Sequence, residues 1–231
     1  SPVLTAVAEL IGAELALRAL RVSQARASLA RAQAAAERAG VPALQAEVSQ
    51  TLASLTQPAA RRMESGEERA LTLDGVAALL ASDAVVIDEC RHGVGSGSAW
   101  VSLARRPVLF SLARSLAQAW PGDVDREALI AQAFRTRRPD ETHRVRLRVD
   151  IGRLRALIKT MARIEATDRG FVLQALGGRD VVVLKPPFDG DQASLLALLS
   201  DGASWSTSAL ALALNGSQRK VQRALAELET Q

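Results

Sequence analysis

Tyrosine is absent from this 231-residue chain, cysteine occurs once, methionine and histidine twice each, and aromatic residues make up only 3%. Each scarcity excludes something. A lone Cys90 cannot form an internal disulfide, and two histidines cannot assemble the usual zinc sites, so the chain reads as cytoplasmic, metal-free and without a cofactor. Cys90 itself reads as a small core or strand residue, because a redox thiol needs a basic, exposed setting. No apolar run reaches the roughly 18 uncharged residues of a membrane helix. The N-terminal "SPVLTAVAEL" has neither a start methionine nor a basic n-region, which reads as a cut or tagged end and not as a signal peptide, and leaves open whether a domain precedes it. Catalytic signatures are missing as well: there is no Gly-rich phosphate loop, nucleophile elbow or receiver-type acidic pocket, and His92 and His143 stand alone in turn-like settings. Asp88 and Glu89, adjacent in a strand, point to opposite faces and make no carboxylate dyad. The chain is expected not to be an enzyme.

What is present is an apolar, arginine-rich chain: 48% hydrophobic and 23% charged, with 26 arginines against 3 lysines. That is enough for a sizeable core. The net charge is only +4, but residues 101–163 hold fourteen Lys and Arg against six Asp and Glu, a local excess of +8. Such a block is the footprint of a polyanion-binding module. A solvated arginine-rich surface gives the same composition, and charge alone does not separate the two.

Three segments are expected. Residues 1–62 read as helical, with Gly40 and Pro42 ending one helix and starting a second that runs to about Leu55. This is a helical hairpin, either a tetratricopeptide-like unit for interaction or a plain bundle piece. "RRMESGEERA" reads as a polar linker. Residues 68–187 then read as α+β: a short helix near Asp74, strands "AVVIDEC" and "SAWVSLA" around a turn "HGVGSGS", and a helix from Pro107 ended by Pro121-Gly122. A helix capped by Asp125 runs to Phe134, and a late strand follows in "RDVVVLKPPFDG". Residues 188–231 return to helix, with "DQASLLALLSDG", "STSALALALN" and "SQRKVQRALAELETQ".

The deciding stretch is "THRVRLRVDIGRLRALIK", Thr142 to Lys159. A strand would put Arg144, Arg146 and Arg148 on one face. A helix aligns Leu147, Ile151, Leu154 and Ile158 in one buried stripe and accounts for both halves, so helix is expected. Arg146 and Arg153 then flank the stripe on one side, and Arg148, Arg155 and Lys159 on the other. Val149, Gly152 and Ala156 lie exposed between them. Two rows of cations bounding a small or apolar strip suit a DNA major groove, with cations on phosphates or guanines and the strip on base edges.

Here the chain resembles the DNA-binding domain of OmpR/PhoB-type bacterial transcriptional regulators, a winged helix. The likeness lies in "RPVLFSLARSLAQAWPGDVDREALIAQAF", "VDIGRLRALI" and "IEATDRGFVL", within about Val85 to Leu173. It implies base reading by Arg153 and Val149, a phosphate contact by Arg155, and a minor-groove wing around Arg169. Asp150 departs from the family, which usually has a phosphate-contacting histidine there, and Gly152 replaces a frequent basic residue; Arg144, Arg146 and Arg148 are expected to add phosphate contacts. The C-terminal segment resembles a bacterial helix-turn-helix, implying Ser217, Gln218, Arg219 and Arg223 as readers and Val221, Leu225 and Leu228 as core. A packing hairpin fits those residues too.

The expected function is sequence-specific binding of double-stranded DNA in transcription regulation, with protein contact or self-association through the N-terminal helices and no membrane partner. The alternative is a protein-interaction module on a degenerate winged helix.

Overall fold

The first helical run breaks where the sequence gives no warning. α1 (Pro2–Arg18) ends at Ala19, and Leu20 takes a left-handed backbone (φ 54°) before α2 (Val22–Ala39) begins. Glycine usually supplies that conformation at a helix end, so no Gly or Pro betrays the break. Gly40 (φ 66°) closes α2 and Pro42 opens α3 (Pro42–Ser54), as the sequence indicates. The hairpin expected over residues 1–62 is thereby corrected to three helices and the start of a strand. Ala6 and Ala13 of α1 and Ala25, Ala32 and Ala35 of α2 are fully buried, small enough for close helix packing. Arg31 spans the pair, its Nε and Nη2 donating to Glu9 Oε1 and Oε2 at 2.8 and 2.9 Å. The outer face of α1 leaves Val3, Leu4, Val7, Ile11 and Leu15 exposed.

A computed structural model describes residues 1–64, 66–136, 138–187, 195, 199, 206–213 and 217–229. The chain is mixed α+β and mainly helical, and it divides into two units, Ser1–Lys185 and Pro186–Gln231.

The segment read as a linker is instead a hairpin, β1 (Ala60–Glu64) antiparallel to β2 (Glu67–Leu71), so the expected break between residues 62 and 68 falls inside a strand pair. Its polar composition suits a sheet edge: Glu68 takes Arg61 at 2.8 Å and Lys185 at 3.0 Å. After α4 (Leu73–Ala81) come β3 (Val85–Asp88), β4 (Gly93–Ser96) and β5 (Ala99–Ser102). The expected turn "HGVGSGS" thus contains a strand. A Cβ at Gly93 would lie 2.3 Å from the Trp100 ring and one at Gly95 2.9 Å from it, so these glycines clear the space for that indole.

Next come α5 (Pro107–Gln118), β6 (Asp123–Asp125) and α6 (Arg126–Phe134), and Asp125 caps α6 by accepting from the Glu127 and Ala128 amides. α7 (Glu141–Ile158) is capped by Asp140, and β7 (Ala162–Ala166) and β8 (Gly170–Ala175) form a hairpin that β6 extends into a sheet of order β6-β8-β7. Leu112 and Leu116, Leu129 and Ile130, and Leu154 and Ile158 meet in one core.

The chain then returns through β9 (Val181–Lys185), parallel to β3 and antiparallel to β1, in a sheet of order β2-β1-β9-β3-β4-β5. Val181 and Val183 join the α5–α7 core, while Val182 and Leu184 join Val76 and Leu79 of α4. With both faces covered, β9 is apolar and buried from Val181 to Leu184, and only Lys185 at its end is charged.

In the second unit, α8 (Thr207–Ala213) and α9 (Gln218–Glu229) share a buried cluster of Leu195, Leu210, Ala211, Val221 and Ala224, with Leu225 and Leu228 only partly buried. The helix expected over "DQASLLALLSDG", apart from Leu195 and Leu199, and the joint at Asn215-Gly216 lie outside the described residues. No helix among the described residues is long and apolar enough to cross a membrane.

Candidate nucleic-acid interface

The ambiguous stretch is helix from Thr142 to Ile158, with Lys159 as its C-cap. Leu147, Ile151, Leu154 and Ile158 are buried, the stripe that the helical spacing predicts, and they turn Val149, Gly152 and Ala156 to the exterior. Val145, four residues before Val149, extends this strip and is half exposed. Its i−4 spacing was the available signal. The Asp140 carboxylate accepts from the His143 amide at 2.9 Å; that bond and then the His143 ring hold its pKa below the ordinary value.

The cations bordering the strip differ in what already holds them. Arg144 donates from Nη2 to Glu127 at 2.8 Å and from Nη1 to Glu141 at 3.4 Å, and its pKa is raised, Glu127 being the larger cause. Arg155 donates from Nε to the Ile164 carbonyl at 2.7 Å, tying α7 to β7. Arg146 lies over the Phe134 ring at 4.5 Å. Arg148 and Lys159 are exposed and have no partner among the described residues. Arg163 on β7, which the sequence reading passed over, is equally open.

Asp150 is the largest departure from expectation. Where a carboxylate facing the backbone of DNA would repel it, this one is buried, with Arg153 Nη1 at 3.1 Å from Oδ1 and Arg146 Nε at 3.7 Å from Oδ2. It therefore acts through the arginines it holds. Beside it, Val149, Arg153 and Leu157 of α7 and Val108 and Leu109 of α5 line a groove of about 750 Å³.

No family model, curated protein or solved structure matches the chain.

The β7–β8 hairpin is held from below. Arg126 donates from Nη1 to the Asp168 carbonyl at 2.7 Å and from Nη2 to the Thr167 carbonyl at 2.8 Å, and Thr167 Oγ1 donates to Asp123 at 2.7 Å. Arg126 was not singled out from sequence, since a first-turn arginine on a helix carries no signal of its own. Arg169 projects from the hairpin turn, 73% exposed and 4.0 Å from Asp123.

In the second unit Ser217, Gln218, Arg219 and Arg223 are all exposed along one end of α9. Ser217 Oγ accepts from the Lys220 amide at 3.3 Å, Gln218 donates to Thr207 Oγ1 at 2.9 Å, and Arg223 lies 3.6 Å from Glu227. Cys90 occupies an exposed turn, not a strand or core position; partial burial of the thiol, then Asp88 and Glu89, push its pKa up to about 11, away from a reactive thiolate.

Proposed function

We propose that the chain is a sequence-specific double-stranded DNA-binding regulator of transcription, built on a winged helix of the OmpR/PhoB type. The carrying observation is the orientation of α7: its buried stripe leaves Val145, Val149, Gly152 and Ala156 outward, between Arg146 and Arg153 on one side and Arg148 and Lys159 on the other. The order α5-β6-α6-α7-β7-β8, with its β6-β8-β7 sheet, supports the same reading. In it α7 enters the major groove, Arg153 and Val149 meet base edges, Arg148 and Lys159 take phosphates, and Arg169 follows the minor groove. The exposed Gln218, Arg219 and Arg223 support a helper role for α9.

A salt titration of binding to random duplex DNA tests this. Arg148→Ala is expected to weaken all sequences alike and to reduce the slope of log affinity against log salt by about 1, whereas Arg153→Ala costs about 1–3 kcal/mol on a selected operator and relaxes specificity. Unchanged operator binding by Arg153→Ala sinks the assignment. One observation favours the alternative of a protein-interaction module: Asp150 neutralises Arg146 and Arg153 beside an apolar strip. A flat salt response, with no duplex bound at low ionic strength, decides for it.

The apolar outer face of α1 supports self-association through the N-terminal helices, because contiguous exposed apolar stripes mark interaction surfaces. Sedimentation velocity is expected to show a concentration-dependent dimer that Ile11→Glu abolishes; identical sedimentation of both proteins would reject this.

A further inference from the structure

A second cavity, of about 640 Å³, opens between α5, α6 and the first half of α7, and its charge is of one sign. Arg114 comes from α5, Arg135 from the C-cap of α6, Arg146 from α7 and His92 from the turn before β4, with Phe110 and Phe134 as apolar walls. No carboxylate lines it. Arg114 and Arg135 have no ion-pair partner among the described residues, and Arg114 Nε is buried without a hydrogen-bond acceptor. Asp150, 3.7 Å from Arg146, lines the other groove and not this cavity.

A buried guanidinium nitrogen without an acceptor is normally avoided, since a charged donor loses solvation and gains nothing in return. Backbone strain gathers at the same place. Two non-glycine residues that line the cavity, His92 (φ 50°) and Arg135 (φ 53°), adopt the left-handed conformation. Such strain persists only where surrounding structure enforces it, and it clusters at ligand sites. The size is that of a small-molecule pocket.

We infer that this cavity binds a small polyanion bearing phosphate or carboxylate groups. Its charged end sits among Arg114, Arg135 and Arg146, whose planar donors match both kinds of anion, and its body lies against Phe110 and Phe134. A DNA phosphate offers the same chemistry, but the recessed Arg114 Nε favours an occupant that enters the cavity.

The test titrates the full chain by calorimetry with pyrophosphate and, separately, with citrate, at matched ionic strength and with no DNA present. At least one of the two is expected to bind saturably, one per chain. Arg114→Gln and Arg135→Asn are each expected to weaken that binding about tenfold, while Arg38→Gln on α2 leaves it unchanged. Arg135→Asn guards against misfolding, because asparagine tolerates the left-handed backbone at that exposed position. A non-saturating response to both probes, or equal weakening in all three variants, overturns the inference. Random duplex is then added as a competitor. If it displaces the bound anion, and if Arg135→Asn weakens duplex binding as much as Arg148→Ala does, the cavity is a contact for DNA phosphate and the small-molecule assignment falls. Because the anion titration contains no DNA, failure of the DNA-binding reading leaves its outcome untouched.

Discussion

Gly170→Ala is expected to lower stability by about 3 kcal/mol, because a methyl group has no room where β8 crosses β6. A Cβ at Gly170 would lie 1.8 Å from the Val124 carbonyl oxygen and 2.7 Å from its carbon. Both are backbone atoms of the strand that pairs with β8, Asp125 opposite Gly170 and Val124 opposite Phe171. No side-chain rotation relieves such a contact, so β6 must separate from β8. With it go the Arg126 clamp on Thr167 and Asp168 and the Thr167–Asp123 bond. For a chain of this size the loss corresponds to a fall in thermal midpoint of roughly 6–12 °C. Gly152→Ala is the control with the opposite sign. Nothing lies within 4 Å of the added Cβ, and an exposed helix interior gains roughly 0.5–1 kcal/mol from the exchange. Thermal denaturation of the two variants checks both; equal midpoints would mean that β6 and β8 are not in this contact.

The elements around this contact were legible in the sequence because their signals are local. Pro107 at a helix start, Asp125 as a cap, and the 4, 3, 4 spacing of Leu147, Ile151, Leu154 and Ile158 each act within a few residues, and the structure places all of them as their chemistry demands. What escaped depends on distant partners. β1 and β2 look like a linker because their charges pair with each other and with Lys185 of β9, more than a hundred residues on. Gly93 and Gly95 look like a turn until Trp100 is laid over them. The break at Leu20 has no local marker at all. At the interface the same division holds. Which face of α7 is exposed follows from its period. The pairs of Asp150 with Arg146 and Arg153, four and three residues away on α7, stand at helical spacing and were legible in it; that Asp150 is buried, and that Glu127 of α6 holds Arg144, are tertiary facts that no spacing encodes.

Asp150→Asn is expected to change DNA binding in two opposed directions. The carboxylate is buried, 3.1 Å from Arg153 and 3.7 Å from Arg146, and so offsets much of the charge that α7 presents on that side. Asparagine keeps the shape and removes the charge, leaving those cations to act on phosphates. If one further phosphate is neutralised, affinity for random duplex rises by about three- to tenfold at 0.1 M salt, and the salt slope steepens by about 0.9. Discrimination moves the other way. The bond from Arg153 Nη1 to Asp150 fixes a guanidinium that is otherwise 68% exposed, and leaves its other donors free for a base edge. An arginine so held meets a guanine with less rotamer entropy to lose. Without the acceptor the ratio of operator to random-duplex affinity should fall, by about tenfold if 1.4 kcal/mol of that ordering is lost. Arg153→Ala separates the two effects: it removes the proposed base contact and leaves Asp150 with Arg146 as its remaining partner, one positive charge fewer on that side, so operator and random affinities are both expected to decline. Fluorescence anisotropy across a salt series, with the selected operator and a scrambled duplex, reads both quantities at once. Should Asp150→Asn raise neither the random-duplex affinity nor the slope, Arg146 and Arg153 do not face the DNA, and the docking of α7 in the major groove is wrong.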